Sequence, residues 1–133
     1  MIGYLHRVLT DHLRDVLGPE ADDLLVRTGI DPNIVYRLDR EYPDAEFNAL
    51  FDAAQARLGL DREAMYGAFA EAFLRSALRT FPRFLDDAAG VRDLLRRQPA
   101  IHSSFAAGLR DPADRRRVVD KFVTVSDADD LIV

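Results

Sequence analysis

From Ile2 to Val16 the apolar residues Ile2, Leu5, Leu9, Leu13 and Val16 recur three or four positions apart, with polar residues between them. That spacing sets them in one stripe along a helix, which Gly18 can end in a left-handed conformation. Pro19 suits a first helical position, and Ala21, Leu24 and Leu25 carry a shorter helix to Gly29, followed by a turn at Asp31-Pro32-Asn33. Tyr42-Pro43-Asp44 combines an extended residue before proline with a capping aspartate. It opens a helix through Phe47, Leu50, Phe51, Ala54 and Leu58 to Gly59. Asp61 caps the next helix, where Met65, Phe69, Phe73 and Ala77 form a bulky stripe that runs to about Thr80 before Phe81-Pro82 breaks it. A short helix carries Phe84 and Leu85, Gly90 separates it from Val91–Arg97, and Pro99 opens a helix through Ile101, His102, Phe105 and Leu109.

After Leu109 the pattern changes. Asp111-Pro112-Ala113-Asp114 reads as a turn; residues 121–125, 126–130 and 131–133 read as strand, turn and the beginning of a second strand. The expected fold class is therefore α+β: an N-terminal multi-helix subdomain over residues 1–110, then the beginning of an antiparallel sheet over 118–133, mostly α in the chain as given. Residues 1–133 are expected to form a single domain. It reads as C-terminally incomplete, because domains rarely end on a bare apolar run with an open edge.

The composition fits one soluble domain: 133 residues, 48% hydrophobic and 31% charged. The net charge of -5 argues against a general nucleic-acid or anionic-membrane binder, both of which need a positive field. No cysteine is present, which removes disulfides, thiolate catalysis and cysteine-containing zinc sites and fits the cytoplasm. The N-terminus turns polar too soon for a secretory signal, and no run of about twenty apolar residues occurs. Arg115-Arg116-Arg117 reads as a solvated face, with a docking patch for an acidic partner as the alternative. Seventeen arginines to one lysine fit a GC-rich bacterial genome.

Little in this sequence offers catalysis. His102 shares its expected face with Ile101, Phe105 and Leu109, which would bury the imidazole as a core histidine bonded to a carbonyl, or as a ligand. Ser103 and Ser104 point away from it on a helix and cannot form a nucleophilic dyad. His6 and His12 lie six residues apart, not the i, i+4 pair of a helical metal site, and are expected on the surface. The pairs Asp22-Asp23, Asp86-Asp87 and Asp129-Asp130 fall at helix starts or turns, where capping and solvation account for them. No glycine-rich phosphate loop is present, and the chain is not expected to be an enzyme.

The order of short motifs carries more. Met1-x-Gly3, Leu17-Gly18, Thr28-Gly29-Ile30, Tyr42-Pro43-Asp44, Leu58-Gly59, Ala68-Phe69-Ala70-Glu71-Ala72-Phe73 and Ile101-His102 together resemble the haem–nitric-oxide/oxygen-binding (H-NOX) domain family, across essentially the whole chain. The resemblance implies haem b as cofactor, with His102 as the axial iron ligand. It implies Leu5, Leu9, Phe73, Leu74 and Ala77 as distal lining, and Ile101, Phe105 and Pro112 on the proximal side. It further implies a sensor of diatomic gas, nitric oxide being favoured by the apolar distal set. Such a sensor signals through the proximal-histidine helix to a partner such as a histidine kinase or cyclic-dinucleotide enzyme. The sequence departs from the family at Ala70, where glycine is common, and at Ser103, where proline often follows the histidine. The family's Tyr-x-Ser-x-Arg motif, which holds the haem propionates, would lie beyond Val133. The alternatives are a fragment, or a chain with weakened or lost haem binding: a haem-free H-NOX-like helical module that binds another protein. A pocket for some other apolar ligand is a third.

Overall fold

A computed structural model describes residues 3–86, 88–109, 111–119, 125–126 and 131–132. The chain forms two compact units, Met1–Ala77 and Leu78–Val133.

In the first unit, α1 (Gly3–Leu17) ends where its glycine predicts: Gly18 has φ +57° and its N–H donates to Arg14 O at 2.9 Å. α2 (Glu20–Arg27) carries Glu20, Asp22 and Asp23 in its first turn, opposite the partial positive charge of the helix start. Its Asp22 accepts two bonds from the Arg14 guanidinium, at 3.0 and 3.1 Å, which ties α2 back to α1. α3 (Asp44–Leu58) starts one residue earlier than expected. Pro43 takes the flanking position, with extended ψ of 131°, and Asp44 is the first helical residue, where its carboxylate meets the helix dipole. α4 (Arg62–Thr80) is capped as predicted, Asp61 Oδ1 accepting the Ala64 N–H at 2.8 Å. One core joins these helices. Leu9 and Leu13 of α1, Leu25 of α2, Leu50 and Phe51 of α3 and Met65 of α4 are all essentially withdrawn from water. Each such side chain contributes roughly 1.5–3 kcal/mol of burial.

The second unit contains α5 (Pro82–Asp86), α6 (Val91–Arg96), α7 (Gln98–Gly108) and α8 (Pro112–Val119). α6 leads almost without interruption into α7: Arg97 keeps helical angles (φ -83°, ψ -9°) and its carbonyl accepts the Ile101 N–H at 2.9 Å. The segment 111–114, expected as a turn, instead begins α8. Asp111 Oδ1 accepts the Ala113 N–H at 2.7 Å, Asp111 O accepts the Arg115 N–H at 3.1 Å, and Pro112 occupies the first helical position. The helical series thus continues through Val119, so residues 118 and 119, expected in the β part, are helical. α7 packs against α8 and α6. β1 (Val125–Ser126) and β2 (Leu131–Ile132) pair antiparallel, with Val125 opposite Ile132 and Ser126, expected in the turn, opposite Leu131. The remainder of the expected strands and turn, residues 121–124, 127–130 and 133, lies outside the described residues. Among the described residues no helix is long and apolar enough to cross a membrane.

Candidate functional site

The first unit holds the five residues expected on the distal side. α1 carries Leu5 and Leu9, and α4 carries Phe73, Leu74 and Ala77. The ring of Tyr4 meets that of Phe73 edge to face, with centroids 5.6 Å apart, and so brings the first turn of α1 to α4. Leu9 is sealed in the core, Leu5 is half-buried against it, and Ala77 is buried. Phe73 is half-buried and Leu74 is 48% exposed. None of the five side chains offers a hydrogen-bond donor. Further along α1, burial pushes the half-buried His12 imidazole below its usual range, and the Arg75 guanidinium pushes it the same way against a smaller opposite pull from Asp15 and Glu71.

The second unit holds the others. His102 stands near the middle of α7, a helix with no acidic or basic side chain from Gln98 to Gly108 in a chain that is 31% charged. The buried seam of α7 consists of Ile101 and Ala106 and continues into Leu109. His102 is half-buried, where the apolar spacing predicts a buried ring, because it lies a full helical step of rotation from Ile101. The ring of Phe105 approaches it edge to face at 6.3 Å, and Phe105 is itself held by Phe81 at 4.9 Å. Pro112 is exposed at the start of α8.

One histidine lies where the sequence does not place it. His6, expected on the surface, is fully buried. Its Nε2 lies 3.3 Å from Pro43 O, a carbonyl that can only accept, so this nitrogen carries the proton. The rings of Tyr36, Tyr42 and Phe47 surround it at centroid distances of 4.9, 5.6 and 5.6 Å. Glu46 Oε1, 3.9 Å from Nε2, accepts the Tyr36 hydroxyl at 2.7 Å. Burial first, and then this bond to Glu46, hold the Tyr36 phenol well above the usual range. The surface expectation failed because the partners come from distant positions, Pro43 lying 37 residues along the chain, beyond the reach of any local pattern.

Comparison with known proteins places these residues in context. The family model for haem-NO-binding domains matches residues 2–113, a span that includes every candidate named above. The chain belongs to the haem-NO-binding (H-NOX) family. A solved variant structure of Tt H-NOX is similar in fold, with a TM-score of 0.66 and 18% sequence identity over 83% of this chain. The match covers 58% of that chain, so this sequence spans little more than half of its length. No curated protein matches the chain.

H-NOX membership can be tested against the chemistry of the residues present. Among the described residues, no group of three or more His, Asp or Glu side chains could hold a metal ion. A metal already carried by a porphyrin asks less of the protein: one neutral nitrogen within apolar surroundings. His102 has such surroundings, since it is half-buried in a helix without Asp, Glu, Lys or Arg and has an aromatic edge beside it. The chemistry of His102 is thus compatible with such a group.

Proposed function

We propose that this chain is the helical part of a haem-based sensor of diatomic gas, with His102 as the axial ligand. The observation that carries the reading is the half-buried imidazole of His102 on the charge-free helix α7, inside the span matched by the family. Leu5, Leu9, Phe73, Leu74 and Ala77 are the proposed distal lining; Ile101, Phe105 and Pro112 are proposed on the proximal side. The proposed cofactor is haem b, the group that the resemblance to the family implies. Bound haem supplies an iron to which a diatomic gas can add.

The protein's own part is to hold, orient and transmit. His102 offers a nitrogen lone pair, and Phe105, fixed by Phe81, limits how the imidazole can turn. The apolar distal set contains no donor to a bound gas, which favours nitric oxide over oxygen. α7 packs on α8, so a displacement at His102 reaches a second helix, which is the route to a partner such as a histidine kinase or cyclic-dinucleotide enzyme. The proposed setting is the bacterial cytoplasm. The test is an absorbance spectrum of the chain expressed with haem available or titrated with haemin. A Soret band is expected, and His102→Ala should shift or abolish it while leaving the helical circular dichroism unchanged. A colourless protein that rejects haemin overturns the reading and leaves a haem-free interaction module in its place.

A further inference from the structure

The cage around His6 lies outside the proposed ligand set, yet it grips the helix that carries two of the wall residues. The N-terminal turn of α1 is held at two points. Gly3 N–H donates to Arg40 O at 3.0 Å, and the approach is so close that a Cβ on Gly3 would come within 2.6 Å of Tyr42 Cε2 and overlap the Arg37 carbonyl. One turn on, His6 reaches Pro43 O through Nε2 and fills the space between Tyr36, Tyr42 and Phe47. Within the same helix, Thr10 Oγ1 donates to His6 O at 2.8 Å. Leu5 and Leu9 lie within it.

We propose that His6 is a positioning residue for the distal wall. By pinning the first two turns of α1 to residues 36–47, it sets where Leu5 and Leu9 stand. The inference rests on the haem-sensor reading above. Its chemistry is specific: the ring must present a donor at the Nε2 position, since Pro43 O can only accept and Glu46 Oε1 sits behind it, already engaged by Tyr36. A side chain that keeps the donor there keeps the anchor, and one that moves it loses the anchor.

The two amide side chains separate these cases, because glutamine places its NH2 near the Nε2 position and asparagine near Nδ1. In the haem-loaded chain, carbon monoxide dissociation and the Soret band are read for wild type, His6→Gln and His6→Asn; amide hydrogen exchange over residues 3–9 is read before haem is added. His6→Gln should stay within about twofold of wild type. Loss of one buried hydrogen bond in His6→Asn should speed exchange in the first turns of α1 by about fivefold, and should shift the Soret band and the carbon monoxide dissociation rate. Tyr42→Leu, which thins the cage but keeps the Nε2 bond, is the second variant should His6→Asn fail to fold, and should move dissociation in the same direction by a smaller factor. Faster exchange in a folded variant with unchanged dissociation and spectrum overturns the inference, because His6 then serves stability alone. So does equal behaviour of His6→Gln and His6→Asn. A wild-type chain that takes up no haemin is a different result: it refutes the sensor reading itself.

Discussion

Replacing Leu9 with alanine tests whether this side chain is a core residue before haem is bound. Leu9 has no exposed surface and belongs to the cluster that joins α1 to α4. Leu→Ala at such a site removes the burial of the deleted carbons and leaves a cavity that the neighbours only partly fill. The expected loss is about 3 kcal/mol, within the range of roughly 2.7–5 kcal/mol for sealed sites. Leu74 has the same chemistry but is 48% exposed, so about half of the burial is absent and water fills the space left behind. Leu74→Ala should cost about 1 kcal/mol or less. At roughly 4 °C per kcal/mol for a chain of this size, the two variants should melt about 12 °C and 4 °C or less below wild type. Tyrosine fluorescence is the assay of choice. The chain has no tryptophan, and its four tyrosines, Tyr4, Tyr36, Tyr42 and Tyr66, all lie in the unit Met1–Ala77, so the signal reports on that unit alone. A loss below about 0.5 kcal/mol for Leu9→Ala, or an equal loss for Leu74→Ala, refutes the packing argument. Haemin then separates structure from function: Leu74→Ala should weaken haem binding far more than it weakens the fold.

Gly3→Ala should destabilise the same unit by about 1–3 kcal/mol, since the new Cβ meets the Arg37 carbonyl and the Tyr42 ring and neither is a flexible chain end; an unchanged tyrosine melting curve would show that the close approach does not exist. His12 predicts a pH effect. Its imidazole is held below the unfolded value of 6.5, by burial first and by Arg75 second, so as pH falls below 6.5 the unfolded chain takes up the proton before the folded one does. The stability associated with neutral His12 is therefore present above pH 6.5 and lost as pH falls through the folded value. His12→Gln should flatten the slope of unfolding free energy below pH 6.5, and a slope identical to wild type would contradict the burial.

Where the sequence is legible, the controlling physics is local. Gly18 and Gly59 end α1 and α3 because only a residue without Cβ adopts φ near +60° freely, and Asp61 caps α4 through a bond three residues long. Asp111-Pro112 was visible but ambiguous: the same pair opens a turn or caps a helix, and the bond to Ala113 N–H decides for the helix. α1 shows where local reasoning stops. Its spacing points to one stripe through Leu5, Leu9, Leu13 and Val16, yet Val16 is 54% exposed while Tyr4, His6, Val8 and Thr10 are buried. A single periodicity describes a helix with one buried face. The N-terminal half of α1 has more than one, because residues 36–47 close over it as well as the core, and a polar residue is tolerated there once distant groups satisfy it.

The two histidines follow from the same point. In the sequence His6 precedes an arginine and looks solvated, while His102 sits among apolar neighbours and looks sealed. The structure exchanges them: His6 is enclosed and His102 is half-buried. The enclosed imidazole of His6 meets a carbonyl, a carboxylate and three rings, all from residues 36–47. His102 by contrast stays half-buried on a helix without Asp, Glu, Lys or Arg. Periodicity cannot make this distinction, because it ranks positions by polarity and not by what surrounds them. The order of motifs along the chain compares whole arrangements instead, and what it points to, the H-NOX family, is what the match over residues 2–113 shows.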